Sequence, residues 1–265
     1  MPDLLDAARH GRVYDLEQLR YHGAPTHPAH APGFFYSLHR RHEPGLGESR
    51  TSASGVVVMA EHSGTHIDAL CHQAENLHLF GGTHVDPRVQ TSAGFREHGI
   101  DAVAPLVTRG VLIDLCRQQG VERLDLEAEV GAGQLREAAD AQGVTIAAGD
   151  TVLVYTGNDA RWESADEYLR GPGMGASTST WLAEQRVAAV GADNMAWDRI
   201  GAVDEELGVS LPGHLILLVR HGIHIIENLR LGELARDRVT EFLFVCLPLK
   251  MRGATGSPVR PIAIA

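Results

Sequence analysis

The chain has 265 residues, 44% of them hydrophobic and 22% charged, with a formal net charge of −11 and 15 histidines. That length and apolar content can bury a sizeable core and exclude a disordered chain, while the acidic balance, without any arginine-lysine stripe interleaved with aromatics, excludes nucleic acid as an expected partner. The longest apolar runs, such as Val56-Val57-Val58-Met59-Ala60 and Leu215-Ile216-Leu217-Leu218-Val219, fall far short of the roughly 20 residues that cross a bilayer, so no membrane span is expected.

The start, Met1-Pro2-Asp3-Leu4-Leu5-Asp6, has no basic leader followed by an apolar segment, and a cytoplasmic location is expected. Residues 1–50 read as an irregular N-terminal arm, because Pro25, Pro28, Pro32 and Pro44 leave no room for a helix. Such an arm needs a surface, either the core or a partner subunit. Phe34-Phe35-Tyr36 inside it is an anchor for the arm or an aromatic wall for a flat substrate, reaching a site across a subunit interface.

Residues 51–265 read as one domain. Strands are expected over Gly55–Ala60, Gly110–Leu115, Thr151–Thr156, Val187–Val190 and Glu241–Leu247, where β-branched and apolar residues cluster. Helices are expected over Leu126–Gln142 with Gly143 as terminator, over Ser179–Gln185, and from Pro212 to about Arg220, bracketed by Pro212 and Gly222. Interleaving of this kind implies an α/β class, with helices packed on a mixed sheet. Cys71, Cys116 and Cys246 are odd in number and widely spaced, which argues against a disulfide framework. Gly171-Pro172-Gly173-Met174-Gly175-Ala176-Ser177 lacks the spacing of a phosphate loop, and Pro172 removes an amide donor; it is a turn into the next helix or a loop whose amides line a pocket. No Gly-x-Ser-x-Gly elbow supports a serine hydrolase.

The densest chemistry lies at His62-Ser-Gly-Thr-His66-Ile-Asp68-Ala-Leu-Cys-His72. Imidazole and carboxylate are the usual ligands of Zn²⁺, Mn²⁺ and related ions, and a site with open positions activates water. On an extended strand His62 and His66 would stand roughly 13 Å apart, at about 3.3 Å per residue, too far for one ion. The chain must therefore double back, and Gly64 permits the bend while leaving room beside the backbone. His66 and Asp68 then share a face, and Asp68–His72 could open a helix that carries His72 close to the ion. Cys71 beside His72 could be read as a nucleophilic pair, but adjacent helical residues point in different directions.

This string is similar to the signature of the metal-dependent cyclase-like hydrolases, which include bacterial kynurenine formamidases and isatin hydrolases. Further matches are Val13-Tyr14-Asp15-Leu16, Gly149–Leu153 with Thr156-Gly157, the stretch from His214 to Leu229, and Pro258–Ile262, so the resemblance spans most of the chain. It implies a compact α/β fold with a swivelling β/β/α core. It also implies that His62, His66 and Asp68 bind the metal and that His72 acts in acid–base catalysis. The resemblance further implies that His214 and Glu227 complete the site, as ligands to the same or a second ion, with His214 read as a ligand and Glu227 in a catalytic role, or as orienters of other ligands. His221 and His224 are read as structural. The His214–Glu227 separation is longer than in some formamidases, and Leu70 stands where formamidases more often carry proline, which brings the chain closer to the isatin hydrolase branch.

The expected reaction is hydrolysis of the C–N bond of a small aromatic cyclic amide, isatin to isatinate, by water activated on a divalent ion, Mn²⁺ or Zn²⁺. His72 would move the proton. The alternatives are an N-formylkynurenine formamidase and a metal- or ligand-binding module without catalysis. Relatives of this type imply a homodimer or higher homo-oligomer.

Overall fold

The computed structural model describes residues 9–45 and 48–265, so the reading of Met1–Asp6 lies outside the described residues. In chain order the principal elements are β1 (Val13–Asp15), β2 (Phe34–Arg40), β3 (Ser54–Met59), β4 (His66–Asp68), β5 (Leu106–Asp114), α1 (Leu115–Gln119), α2 (Ala132–Gln142), β6 (Thr151–Tyr155), α3 (Ala176–Glu184) and β7 (Ala189–Ala192). They continue as α4 (Pro212–His214, prolonged by a π-helical stretch over Leu215–His221), β8 (His224–Glu227), α5 (Gly232–Asp237), β9 (Glu241–Cys246), β10 (Gly256–Pro258) and β11 (Ile262–Ile264). Nine strands form one sheet in the order β1-β11-β9-β5-β6-β7-β8-β4-β10. The four in the middle, β5 to β8, run parallel. The flanking strands are antiparallel.

Alternation along the parallel strands divides the core into two layers. Val111, Ile113, Val152, Val154 and Ile225 face α2, α3 and α4, packing on Leu135, Leu182, Ile216 and Leu217. Leu112, Leu153 and Ile226 face the opposite layer with Ile67, Leu229, Leu234, Phe242 and Phe244. This is the mixed-sheet α/β architecture expected from the sequence.

Local differences have local causes. The helix expected over Leu126–Gln142 begins only at Ala132, because Glu127 sits in the left-handed region with φ +60°, which no right-handed helix admits. Gly143 does terminate it, at φ +68°. α3 starts earlier than expected, at Ala176, and the bracketing of α4 by Pro212 and Gly222 holds. The segment Asp68–His72 is not a helix: β4 runs to Asp68, Ala69 N–H donates to Thr255 O at 2.9 Å, and a tight turn follows in which His72 N–H donates to Ala69 O. The N-terminal region is more ordered than an irregular arm. β1 is an edge of the main sheet, and β2 pairs with β3 in a hairpin that crosses residue 50, with Phe35 opposite Val58 and Tyr36 opposite Val57. Pro25, Pro28 and Pro32 precede β2 and Pro44 follows it, so none interrupts the pairing.

Candidate metal centre

The strand register assembles the site. β4 lies between β8 and β10, with His66 opposite Glu227 and Asp68 opposite Gly256. Directly paired residues share a face, as do residues two apart on one strand, so His66, Asp68 and Glu227 project together at the carboxyl end of β8. Ligand sites in sheets of this kind form at the carboxyl ends of parallel strands. His62 returns to the same point because the chain doubles back at Gly64, whose φ is +61°. The space beside Gly64 is taken by Arg20 rather than left for an ion: a Cβ there would stand 2.5 Å from its Nη1. The Arg20 guanidinium donates to the carbonyls of Ser63 and Thr65 and so clamps the bend, while Asn228 Nδ2 donates to Gly64 O at 2.8 Å.

His214 arrives from the helical layer. Leu211, at φ +53°, turns the chain into α4, and Pro212 occupies its first position, where a missing amide costs nothing. Asp198, buried at 1% exposure, accepts from Gly213 N–H at 2.6 Å, His214 N–H at 3.2 Å and His214 Nδ1 at 2.8 Å. One carboxylate thus caps the helix and orients the ring. Ala196 and Trp197, both at positive φ, form the bend that presents Asp198, and Ala196 N–H donates to Glu227 Oε2 at 2.9 Å. Such non-glycine strain at a ligand cluster is characteristic of functional loops.

The protons on these rings are fixed by their neighbours. A carbonyl only accepts, so Gly64 O at 2.8 Å takes the proton of His66 Nδ1 and leaves Nε2 bare, 3.6 Å from Asp68 Oδ1 and 3.4 Å from Glu227 Oε2. Asp198 likewise draws the Nδ1 proton of His214, whose Nε2 faces Asp68 Oδ2 at 3.6 Å and Glu227 Oε1 at 3.3 Å. His62 Nδ1 lies 2.8 Å from Asp68 Oδ1 without hydrogen-bond alignment. Among the described residues, His62 Nδ1, both Asp68 oxygens and Glu227 Oε1 are buried without hydrogen-bond partners. Buried acceptors left in this state are costly, and a divalent cation is the species that satisfies imidazole nitrogens and carboxylate oxygens together. His62, His66 and Asp68 offer atoms within 4.8 Å of one another, as do Asp68, His72 and His214, so the residues present fit such an ion.

The titration of these groups follows from burial. Burial pushes His62 down to about 2, helped by the neighbouring His66 and His30, and pushes His72 down to about 3 against the opposing pull of Asp68. For His214 burial also acts downward, but the Asp198 and Glu227 carboxylates outweigh it and hold the ring well above its usual value. Burial would raise Glu227; His214 and His66 reverse that and leave it lowered.

His72 stacks on His62 with ring centroids 4.0 Å apart and helps line a cavity of about 260 Å³ with the five ligand-type residues, Met195, Ala196 and Leu211. His30, on the turn Pro28–His30 of the N-terminal region, also stacks on His62, at 4.7 Å, and closes the cavity from that side. The structure therefore brings His62, His66, Asp68, His72, His214 and Glu227 to one place. Phe34, Phe35 and Tyr36 are elsewhere, on β2, and do not line this cavity. His221 is exposed, and His224 donates through Nδ1 to Asp68 O at 2.8 Å, behind the site. Cys71 points at Ala254 O, and burial raises its thiol to about 12, which removes the nucleophilic reading. The amides of Gly173, Met174 and Gly175 go to Ala128, Trp197 and Val130 carbonyls, not to the cavity. Asp198, His30, Glu61 and Thr255 were not singled out by sequence reasoning. Only Glu61, next to His62, carried a local signal.

Known proteins resemble the chain in sequence and fold. The Cyclase family model matches residues 14–199. A kynurenine formamidase of Bacillus cereus is 26% identical over 248 residues, covering 94% of this chain and 95% of its own. One of Polaromonas naphthalenivorans is 34% identical over 86 residues, 32% of this chain and 34% of its own. Among solved structures, a crystal structure described as a novel cyclase superposes with a TM-score of 0.87 at 28% identity, covering 100% of this chain and 92% of that one. Isatin hydrolase A from Ralstonia solanacearum superposes with a TM-score of 0.75 at 22% identity, covering 100% and 98%, a likeness of fold alone. With the family model spanning more than half of the sequence, the chain belongs to the cyclase-like hydrolase family.

Proposed function

We propose that the chain is a metal-dependent hydrolase that cleaves the C–N bond of a small aromatic amide, with isatin and N-formylkynurenine as the two substrates to separate. The observation that carries this reading is the convergence of His62 Nδ1, both Asp68 oxygens and Glu227 Oε1, buried and unpartnered among the described residues, with His66 and His214 facing the same carboxylates beside His72. His62, His66 and Asp68 would hold the ion, with His214 and Glu227 completing the set on the Asp68 side. A divalent ion bound there, Mn²⁺ or Zn²⁺, supplies Lewis-acid polarisation of a carbonyl and acidifies water.

The remaining work falls to the chain. Amide hydrolysis requires the attacking water to lose a proton and the departing nitrogen to gain one; His72, facing the cavity, would accept the first as a neutral imidazole and return it as the imidazolium so formed. Asp198 keeps His214 in one tautomer, and Ala196 N–H keeps Glu227 in one rotamer, so neither must reorganise as charge moves. His30 and Leu211 narrow the opening.

The relatives support both substrates. Kynurenine formamidases resemble the chain over nearly its whole length, and the residues around Leu70 favour the isatin hydrolase branch. Spectrophotometric assay of both compounds with added Mn²⁺ or Zn²⁺ decides between them, and turnover of neither discards the reading.

We also propose a homodimer or higher homo-oligomer. The β2–β3 hairpin leaves Phe35 47%, Tyr36 51%, Val57 49% and Val58 56% exposed, on both faces of the ribbon. A second copy would cover it, and Phe34, Phe35 and Tyr36 would then contact substrate from across the interface. Light scattering on the parent and on Val58→Asp tests this: a monomeric parent removes the proposal.

A further inference from the structure

The three ligand-type histidines are oriented by three different devices. His66 uses a carbonyl two residues away and His214 a buried carboxylate, whereas His62 depends on a hydroxyl 193 residues downstream, Thr255 at the approach to β10. Thr255 donates twice to Glu61, through its N–H to Oε2 at 3.2 Å and through its O–H to Oε1 at 2.5 Å. The Glu61 carboxylate thereby consumes both protons that Thr255 can give. Only lone pairs remain on the hydroxyl for His62 Nε2, 2.8 Å away, so Nε2 must bring the proton. Nδ1 is then a bare lone pair, and it is the atom that stands unpartnered 2.8 Å from Asp68 Oδ1.

The ring is also held in place by shape. A Cβ at residue 256 would lie 2.6 Å from His62 Cε1 and 3.0 Å from both ring nitrogens, so only glycine lets the imidazole lie flat against β10. His72 stacks on the same ring.

We propose that Glu61 and Thr255 are positioning residues that act through His62: they fix its proton on Nε2 and so make Nδ1 the metal-ligating atom. The proposal rests on the metal-dependent reading above. Loss of the hydroxyl frees His62 to protonate Nδ1, a form that cannot ligate through that atom, and loss of the Glu61 charge makes the ring a poorer donor.

Two measurements test it. Long-range proton–nitrogen correlation spectra of histidine-labelled, metal-free protein should show His62 as the Nε2–H tautomer; an Nδ1–H tautomer overturns the proposal whether or not metal binds. Competition with a chromophoric chelator should show Zn²⁺ affinity reduced about 10- to 100-fold in Thr255→Val and in Glu61→Gln, and restored in Thr255→Ser. Unchanged affinity in Thr255→Val, with its thermal midpoint close to the parent's, also overturns it. If the parent itself binds no Zn²⁺ or Mn²⁺, the metal-dependent function fails, and the tautomer result still decides the assignment at His62.

Discussion

His72 and Asp68 stand four residues apart and are expected to fail differently when changed. Among the described residues His72 has no orienting partner of the kind that holds His62, His66 and His214, and burial lowers its value to about 3. His72→Ala should therefore lower kcat/KM by about 10²- to 10⁴-fold, the usual worth of a proton-transfer group. Elemental analysis should find the same metal content per chain; a parallel loss of metal would make His72 a ligand instead. Asp68 carries two buried oxygens with no hydrogen bond. In chelator-treated protein, Asp68→Asn should raise stability by about 1–3 kcal/mol, because an amide there can donate to the unpartnered His62 Nδ1 2.8 Å from Asp68 Oδ1, and it should abolish metal binding. Urea unfolding with and without Zn²⁺ reads both signs. Such pairs were only half visible in the sequence. His62, His66 and Asp68 declared themselves by crowding around one glycine, whereas Asp198 and Thr255 lie far from the rings they orient, and their partnerships exist only after folding.

Among the elements, the central strands were legible because they are buried on both faces, and the exposed β3 was legible from its run of valines. Val111-Leu112-Ile113 and Val152-Leu153-Val154 are apolar at every position because each face meets its own core layer. β4, β8 and β10 escaped because they are short and spend positions on His66, Asp68, His224, Glu227, Gly256 and Pro258, where chemistry displaced the apolar pattern. The ends of β6 and β7 carry another polar commitment. Asp193 accepts from Thr156 N–H at 3.0 Å and from its hydroxyl at 2.7 Å, while Asp159 accepts from Leu231 and Gly232 N–H at the start of α5. Burial, reinforced by the charge of Asp159, raises Asp193 from 3.8 to about 7, and burial raises Asp159 as well. Between those values the folded chain holds a proton that the unfolded chain has lost, so the Asp193 contribution to stability falls as pH rises from 3.8 to about 7. Buried histidines with lowered values give the opposite slope, common to parent and variant. The free energy of unfolding of the parent minus that of Asp193→Asn should thus decline from the acid to the neutral side of this window. A difference independent of pH would show that Asp193 is ionised throughout.

For the molecule as a whole, the candidate metal centre is where distant stretches of chain are tied together. It draws on the turn at His30, the bend at His62, β4, the bend at Ala196–Asp198, the start of α4 and the end of β8, and it leans on β10 through His62 and Gly256. The two core layers lie beneath it, with β5 paired to β6 and β9 and its buried residues Val111, Leu112 and Ile113 packed among apolar side chains. A cation that binds only the folded chain adds about 2.7 kcal/mol of stability at a hundred times its dissociation constant. Chelation should accordingly lower the thermal midpoint. Its local signature is sharper, because without the ion Asp68 and Glu227 lose the ligand that would tie β4 to β8, while the central sheet is unchanged. Hydrogen exchange should then accelerate in β4, β10 and the Ala196–Asp198 bend and stay the same in β5, β6 and β9. Equal acceleration across the whole sheet would mean that the centre is a global staple, and no change anywhere would mean that these side chains hold no ion.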